Sequence, residues 1–98
     1  MSVIEITTFR LVDPSALDTF RAADHRVQVE VVHLQRGIVR RTTAHDVDGG
    51  WLVVTIWAAA DDADRGRGAI LAHPVGDEFL ALIDPASVST QRFETLPG

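Results

Sequence analysis

The sequence predicts a single α+β domain with the element order β-α-β-β-α-β. Three segments are rich in Val, Ile, Thr, Phe or Trp, at residues 3–12, 38–46 and 51–58, as is typical of strands. A stripe of apolar residues at helical spacing separates the first segment from the second. A second helical region and a last β-rich segment follow, and a length of 98 residues suits one domain.

The first strand leads directly into the first helix. Asp13 can cap a helix, and Pro14 is tolerated in its first turn. The helix is expected to continue towards Gly37, which stands where a C′ residue belongs, and the polar Asp24 interrupts its apolar stripe. The stripe consists of Leu17, Phe20, Val27, Val31 and Leu34.

Residues 38–46 and 51–58 are predicted to form a hairpin, because Asp48-Gly49-Gly50 is a turn signal. Both faces of its second strand are apolar, with Leu52, Val54 and Ile56 on one face and Trp51, Val53 and Trp57 on the other. An antiparallel sheet normally leaves one face in water. We therefore expect helices on one face and a second copy of the chain on the other, with Trp51 packing at that interface or at the strand edge.

The second half of the chain is less regular. Residues 61–64 can open a helix, which Arg65-Gly66-Arg67-Gly68 weakens, so this stretch is expected to form a mobile loop over a pocket or an anion-binding loop. Residues 69–73 predict a short helix that Pro74 ends, residues 77–84 a further helix, and residues 87–96 a last strand. The whole order is the ferredoxin-like arrangement, and two copies packed sheet to sheet would form a dimeric α+β barrel.

Composition excludes several classes of function. The net charge of −5 disfavours nucleic acid and anionic membranes as partners. The absence of cysteine excludes disulfides, thiolate nucleophiles and sulfur-ligated metals, and no metal site is predicted. The longest nearly apolar run, residues 51–60, is too short to span a bilayer, and no secretory signal is visible. We expect a cytoplasmic protein.

Three short motifs resemble the antibiotic biosynthesis monooxygenase-like family of the dimeric α+β barrel superfamily. They are Arg36-Gly37-Ile38-Val39, the strand at residues 51–57 that ends in Trp57, and Ala72-His73 followed six positions later by Phe79. The resemblance implies a small homodimer with a pocket between sheet and helices. Some members of that family oxidise polyketide quinol-type substrates without metal or flavin, so the resemblance implies that this activity is one to expect here.

A related branch of that superfamily degrades haem with an Asn, a Trp and a His. This chain has Thr7 at the Asn position and Trp57 at the Trp position. His73 lies sixteen residues after Trp57, several more than usual in that branch. One clear match of three argues against haem degradation.

The resulting prediction is a homodimeric, cofactor-independent monooxygenase of a small aromatic or polyketide-like compound. His73 would be the general base, although a helix-end His that only bonds the backbone is the alternative. Trp57, Thr7 and Phe9 would line the substrate pocket, without any cofactor. Two other functions stay open, a non-catalytic small-molecule binder and a haem-binding protein.

Overall fold

A computed structural model describes residues 1–97. The strands are β1 (Val3–Phe9), β2 (Ile38–His45), β3 (Trp51–Trp57) and β4 (Ser89–Glu94). The helices are α1 (Leu17–Glu30), α2 (Ala60–Ala72) and α3 (Pro74–Ala81), with single 3-10 turns at Val32–Leu34 and Pro85–Ser87. The predicted α+β class and the predicted order of strands and helices are both confirmed.

The strands within residues 1–97 form one antiparallel sheet in the order β2-β3-β1-β4. This is the ferredoxin-like topology, and it places β1 and β3 at the centre. The hairpin of β2 and β3 is as predicted, with Gly49 at a φ of 83° in its turn. Because strand residues alternate between faces, every second residue of β1 and β3 points to the helices.

The main core lies between the helices and the sheet, and it includes Phe9 at the end of β1 and Trp51 at the start of β3. The ring of Phe20 on α1 is fully buried, with its centroid 4.7 Å from that of Trp51 and 5.3 Å from that of Phe79. Phe9 of β1 completes this aromatic cluster. The expectation that Trp51 packs at an interface or strand edge is therefore wrong, because its ring is enclosed by α1 and is only 6% exposed.

Helix α1 is shorter than its apolar stripe predicted. It ends at Glu30, and a 3-10 turn continues the chain, so Gly37 does not cap this helix. Gly37 instead has a φ of 83° in the turn into β2, and its carbonyl accepts a hydrogen bond from the backbone N–H of Ala58. A Cβ at Gly37 would overlap the side chain of Asp62, so both the positive φ and the lack of space require glycine there.

Helix α2 is continuous through the stretch Arg65-Gly66-Arg67-Gly68, so the prediction of a loop over the pocket is wrong. The low helix propensity of glycine is overridden by packing, because Gly66 lies directly against the ring of Trp57. Helix α3 begins at Pro74 rather than near residue 77, because proline is favoured in the first turn and the side chain of His73 caps it.

The opposite face of the sheet carries the second apolar surface predicted from β3. Its side chains alternate with those that face the helices and stay partly exposed: Ile4, Ile6, Leu52, Val54 and Ile56. Phe93 of β4 pairs with Ile4 in the sheet and is 47% exposed. Among the described residues, none of the helices combines the length and the hydrophobicity that crossing a bilayer demands.

Candidate functional site

A cavity of about 260 Å³ lies between the sheet and the second half of the chain. β1 and β3 supply most of its floor, and α2 and α3 supply most of its roof. Phe9, Val32, Phe79 and Ile83 of the core cluster around Phe20 line part of it. Trp57, which belongs to a second and smaller core cluster, and side chains of α2 line another part.

The cavity walls are mostly apolar, and large aromatic rings contribute strongly to them. Trp57, Thr7 and Phe9, the residues predicted to line a pocket, all line it. The remaining apolar lining comes from Val32, Val53, Ile70, Leu71, Phe79, Leu80, Ile83 and Val88. Mostly apolar walls with a few polar groups are typical of small-molecule binding sites.

A buried carboxylate stands in the floor of the cavity. Glu5 of β1 is 8% exposed, and its Oε2 accepts hydrogen bonds from Arg67 of α2 at 3.0 Å and from Arg92 of β4 at 3.0 and 3.1 Å. Arg92 also donates to Asp64 at 2.7 Å. These bonds to Asp64 and Glu5 raise the pKa of Arg92 above its ordinary value, so its guanidinium stays charged.

A buried guanidinium lines the same cavity from β2. The side chain of Arg41 is 5% exposed, and its Nη2 donates to Asp24 of α1 at 2.8 Å. Its Nη1 donates to Gln28 at 3.2 Å, and its planar head lies 5.7 Å from the ring centroid of Phe79. Asp24, the polar interruption in the apolar stripe of α1, is therefore the counter-charge that makes a buried arginine possible.

His73 lies at the junction of α2 and α3, half-buried, and is not among the residues that line the cavity. Its Nδ1 accepts the backbone N–H of Val75 at 3.0 Å, which caps α3. In this bond Nδ1 carries no proton, so the neutral ring has its proton on Nε2. The structure thus brings Trp57, Thr7 and Phe9 together and leaves His73 apart from them.

Two further hollows, of about 360 and 480 Å³, surround the β2–β3 turn. Although larger, they are bordered by exposed charged residues such as Arg10 and Asp46. Aliphatic and aromatic lining is concentrated in the cavity beside Trp57, which we take as the candidate site. Across residues 1–97 no group of three or more His, Asp or Glu side chains is placed to hold a metal ion.

Solved structures match this architecture over nearly the whole chain. SnoaB, described as a cofactor-independent oxygenase from Streptomyces nogalater, aligns with a TM-score of 0.75 and 19% identity, over 99% of this chain and 95% of that one. A Caulobacter crescentus protein provisionally named an antibiotic biosynthesis monooxygenase aligns with a TM-score of 0.82 and 11% identity, over 98% and 91%. One from Nitrosomonas europaea with the same provisional name gives 0.80 and 11%, over 97% and 90%.

The fold is that of the antibiotic biosynthesis monooxygenase-like proteins. The resemblance seen in the sequence motifs is thereby confirmed at the level of architecture. No family model and no curated protein matches the sequence. At identities this low the likeness establishes the fold, and the chemistry must be argued from this chain's own residues.

The charged residues of the cavity were not predicted as site residues. Glu5 follows the inward-facing alternation of Val3, Thr7 and Phe9, so a charge on an otherwise buried face was the available signal. For Arg41 the signal was indirect, because Asp24 broke the stripe of α1 and a buried carboxylate requires a partner. Neither the pairing nor the cavity could be found without the register of β2.

Proposed function

We propose that the cavity beside Trp57 binds a small aromatic or polyketide-like compound and that the protein oxygenates it without a cofactor. The observation that carries this proposal is a cavity of about 260 Å³, open to solvent on one side and lined largely by aromatic and aliphatic side chains. The fold shared with SnoaB, a protein described as a cofactor-independent oxygenase, adds support. The volume is below the usual range for drug-sized ligands, which favours a ligand of two or three fused rings.

In this reaction the protein mainly binds the substrate and excludes water. A substrate CH₂ group activated by neighbouring carbonyl and phenol groups loses a proton, and the resulting anion gives an electron to O₂. The two radicals combine to a peroxide anion, which takes back a proton to give a hydroperoxide. The hydroperoxide loses its remaining C–H hydrogen and its outer OH as water, which leaves a carbonyl. One oxygen atom stays in the product and the other leaves as water, so no external reductant is needed. An apolar site spreads charge over the substrate and excludes side reactions.

Proton removal by His73 stays a prediction. The ring now uses Nδ1 to cap α3, so a base role would require it to leave that cap and turn towards the cavity. This capping bond is also the observation that favours the second candidate, a binder without catalysis. Binding of haem finds less support, because the cavity is small and His73 is not part of its lining.

We further propose that the protein is a homodimer. The apolar outer face of the sheet, centred on Leu52, Val54 and Ile56, would be covered by the same face of a second copy, as in a dimeric α+β barrel. A patch of this kind is rarely left in water. The cytoplasm, where small aromatic metabolites and oxygen are both present, is the compartment we propose.

Oxygen uptake in the presence of an anthrone tests the enzymatic proposal. We expect uptake in proportion to enzyme, unaffected by a metal chelator, and one water formed per O₂ consumed. The matched variants His73→Asn and His73→Ala separate the two roles of His73, because Asn caps a helix well but cannot act as the base. Full activity in His73→Asn would exclude the base role, and no uptake by wild-type protein that binds the anthrone would leave the non-catalytic binder.

A further inference from the structure

Two of the three charged residues that line the cavity, Arg41 and Glu5, stand in one row across the sheet, and the third, Arg67, reaches Glu5 from α2. Arg41 pairs with Thr55 in the register of β2 and β3, and Thr55 pairs with Glu5 in the register of β3 and β1. Glu5 pairs in turn with Arg92 of β4. Since neighbouring strands lie about 4.8 Å apart, the backbones of Arg41 and Glu5 are about 10 Å apart, with Thr55 midway.

The rows on either side of this polar row are much less charged. One neighbouring row contains Val53 and Thr7, and the other contains Val3, Trp57 and the exposed Glu94, which does not line the cavity. On the sheet side of the cavity a flat ligand would therefore meet charged groups in this row, with Arg67 adding a charge from α2 at its Glu5 end.

The two ends of the row differ in hydrogen-bonding character. Arg41 uses two of its five N–H groups on Asp24 and Gln28, so that end has donors to spare among residues 1–97. Glu5 accepts all its hydrogen bonds from described residues at Oε2, and Oε1 accepts none of them. Arg41 thus offers donors at one end, and Glu5 offers an acceptor at the other, next to the guanidinium of Arg67.

The unpartnered oxygens of Glu5 and Thr55 are accessible from the cavity or from solvent. No fully buried side-chain oxygen or nitrogen within residues 1–97 lacks a hydrogen-bond partner. Arg41, Thr55 and Glu5 all line the cavity, and the hydroxyl of Thr55 has no hydrogen-bond partner among the same residues. The row is therefore available to a ligand, while its charges are already balanced by Asp24 and Arg67.

We propose that this row selects the ligand of the cavity: a planar phenolic compound with an oxyanion or carbonyl oxygen at Arg41 and a hydroxyl donating to Glu5. Arg41 and Glu5 would be specificity-determining residues, with Thr55 bonding a polar group between them. The inference rests on the proposed function only in taking the cavity as the ligand site. It names the substrate class of that site by its two polar ends.

Three bicyclic probes test the row by isothermal titration calorimetry. The first, 6-hydroxy-2-naphthoate, has both polar ends, while 6-methoxy-2-naphthoate cannot donate and 2-naphthol lacks the carboxylate. We expect the first to bind at least about tenfold more tightly than either of the others, since one charge-assisted hydrogen bond has that effect.

Two substitutions then assign each end. Arg41→Gln keeps a donor for Asp24 but loses the charge, so it should weaken hydroxynaphthoate about tenfold or more and leave 2-naphthol unchanged. Glu5→Gln should abolish the preference for hydroxyl over methoxy, because the amide oxygen would serve the arginines and its NH₂ group would face the ligand. Arg21→Gln, on the exposed surface of α1, is the control and should bind all three probes as wild type does.

Equal affinity of the wild-type protein for the three probes would contradict the proposed role of the row. This result needs no variant, so it can be obtained even if a substitution prevents folding. Tight binding of hydroxynaphthoate that Arg41→Gln leaves unchanged would overturn it as well. Binding of none of the probes would contradict the proposed function itself. Selective binding of hydroxynaphthoate, without oxygen uptake in the presence of an anthrone, would support the role of the row in ligand selection and would contradict the proposed oxygenase activity.

Discussion

Alanine substitutions at Gly66 and Gly68 should have opposite effects on stability, although both glycines lie in α2 two positions apart. Replacing glycine by alanine inside a helix stabilises it by about 1 kcal/mol. At Gly68 an added Cβ meets no atom within 4 Å, so this gain should appear in full. At Gly66 the Cβ would overlap ring atoms Cη2 and Cζ2 of Trp57.

Trp57 is 2% exposed and packs against Val3 and Ala63, so its ring could give way only by leaving this packing and moving into the cavity that it lines. Overpacking of this kind costs about 1–3 kcal/mol, which outweighs the gain in helix propensity. We therefore expect Gly66→Ala to lose up to about 2 kcal/mol in free energy of unfolding, while Gly68→Ala gains up to about 1 kcal/mol.

Thermal unfolding followed by circular dichroism measures the difference at one protein concentration. In a domain of this size 1 kcal/mol corresponds to about 4–8 °C, so the two melting temperatures should separate clearly around that of the wild type. Equal shifts of both variants in the same direction would refute the packing of α2 on Trp57, and with it the wall of the cavity.

Three further predictions address the dimer, the cap and the hairpin turn. Val54→Asp should yield a folded monomer by light scattering, whereas a folded dimer would contradict the proposed interface. His73→Ala should lower the free energy of unfolding by about 0.5–2 kcal/mol in urea titrations, through loss of the Val75 cap, and His73→Asn should largely restore it. Backbone hydrogen bonds from Gly50 and from residue 48 lower the pKa of Asp46. The ionised carboxylate of Asp46 therefore stabilises the folded protein fully above its ordinary pKa of about 3.9, and this stabilisation is lost as the pH falls through the lower pKa of the folded state. In Asp46→Asn, the free energy of unfolding should consequently fall less steeply with decreasing pH than in the wild type, as measured by urea titrations across that pH range.

Regular patterns in the sequence predicted the order of the strands and helices and the two faces of β3. The alternation along residues 51–57 identified both faces of β3, because side chains on a strand alternate whatever they pack against. The glycine turn at Gly49 likewise fixed the hairpin by local geometry. These features depend on neighbouring residues only, so one sequence was enough to infer them.

Features that depend on distant partners were missed. Gly66 argued locally against a helix, and only its contact with Trp57 explains why α2 passes through it. The pairing of Arg41 with Asp24 depends on the register of β2, which no local pattern fixes. For His73 the sequence left open a general base or a helix-end His that bonds the backbone, and the structure shows its side chain as the cap of α3.

The two tryptophans allow the most direct test of the candidate site. Trp57 lines the cavity, whereas Trp51 belongs to the aromatic core and borders the hollows at the hairpin. Their indole N–H signals in a ¹H–¹⁵N spectrum, assigned with Trp51→Phe, report each place separately during titration with 6-hydroxy-2-naphthoate. We expect a saturable shift of the Trp57 signal, with the Trp51 signal nearly unmoved. A shift of Trp51 alone, or of neither signal, would contradict it.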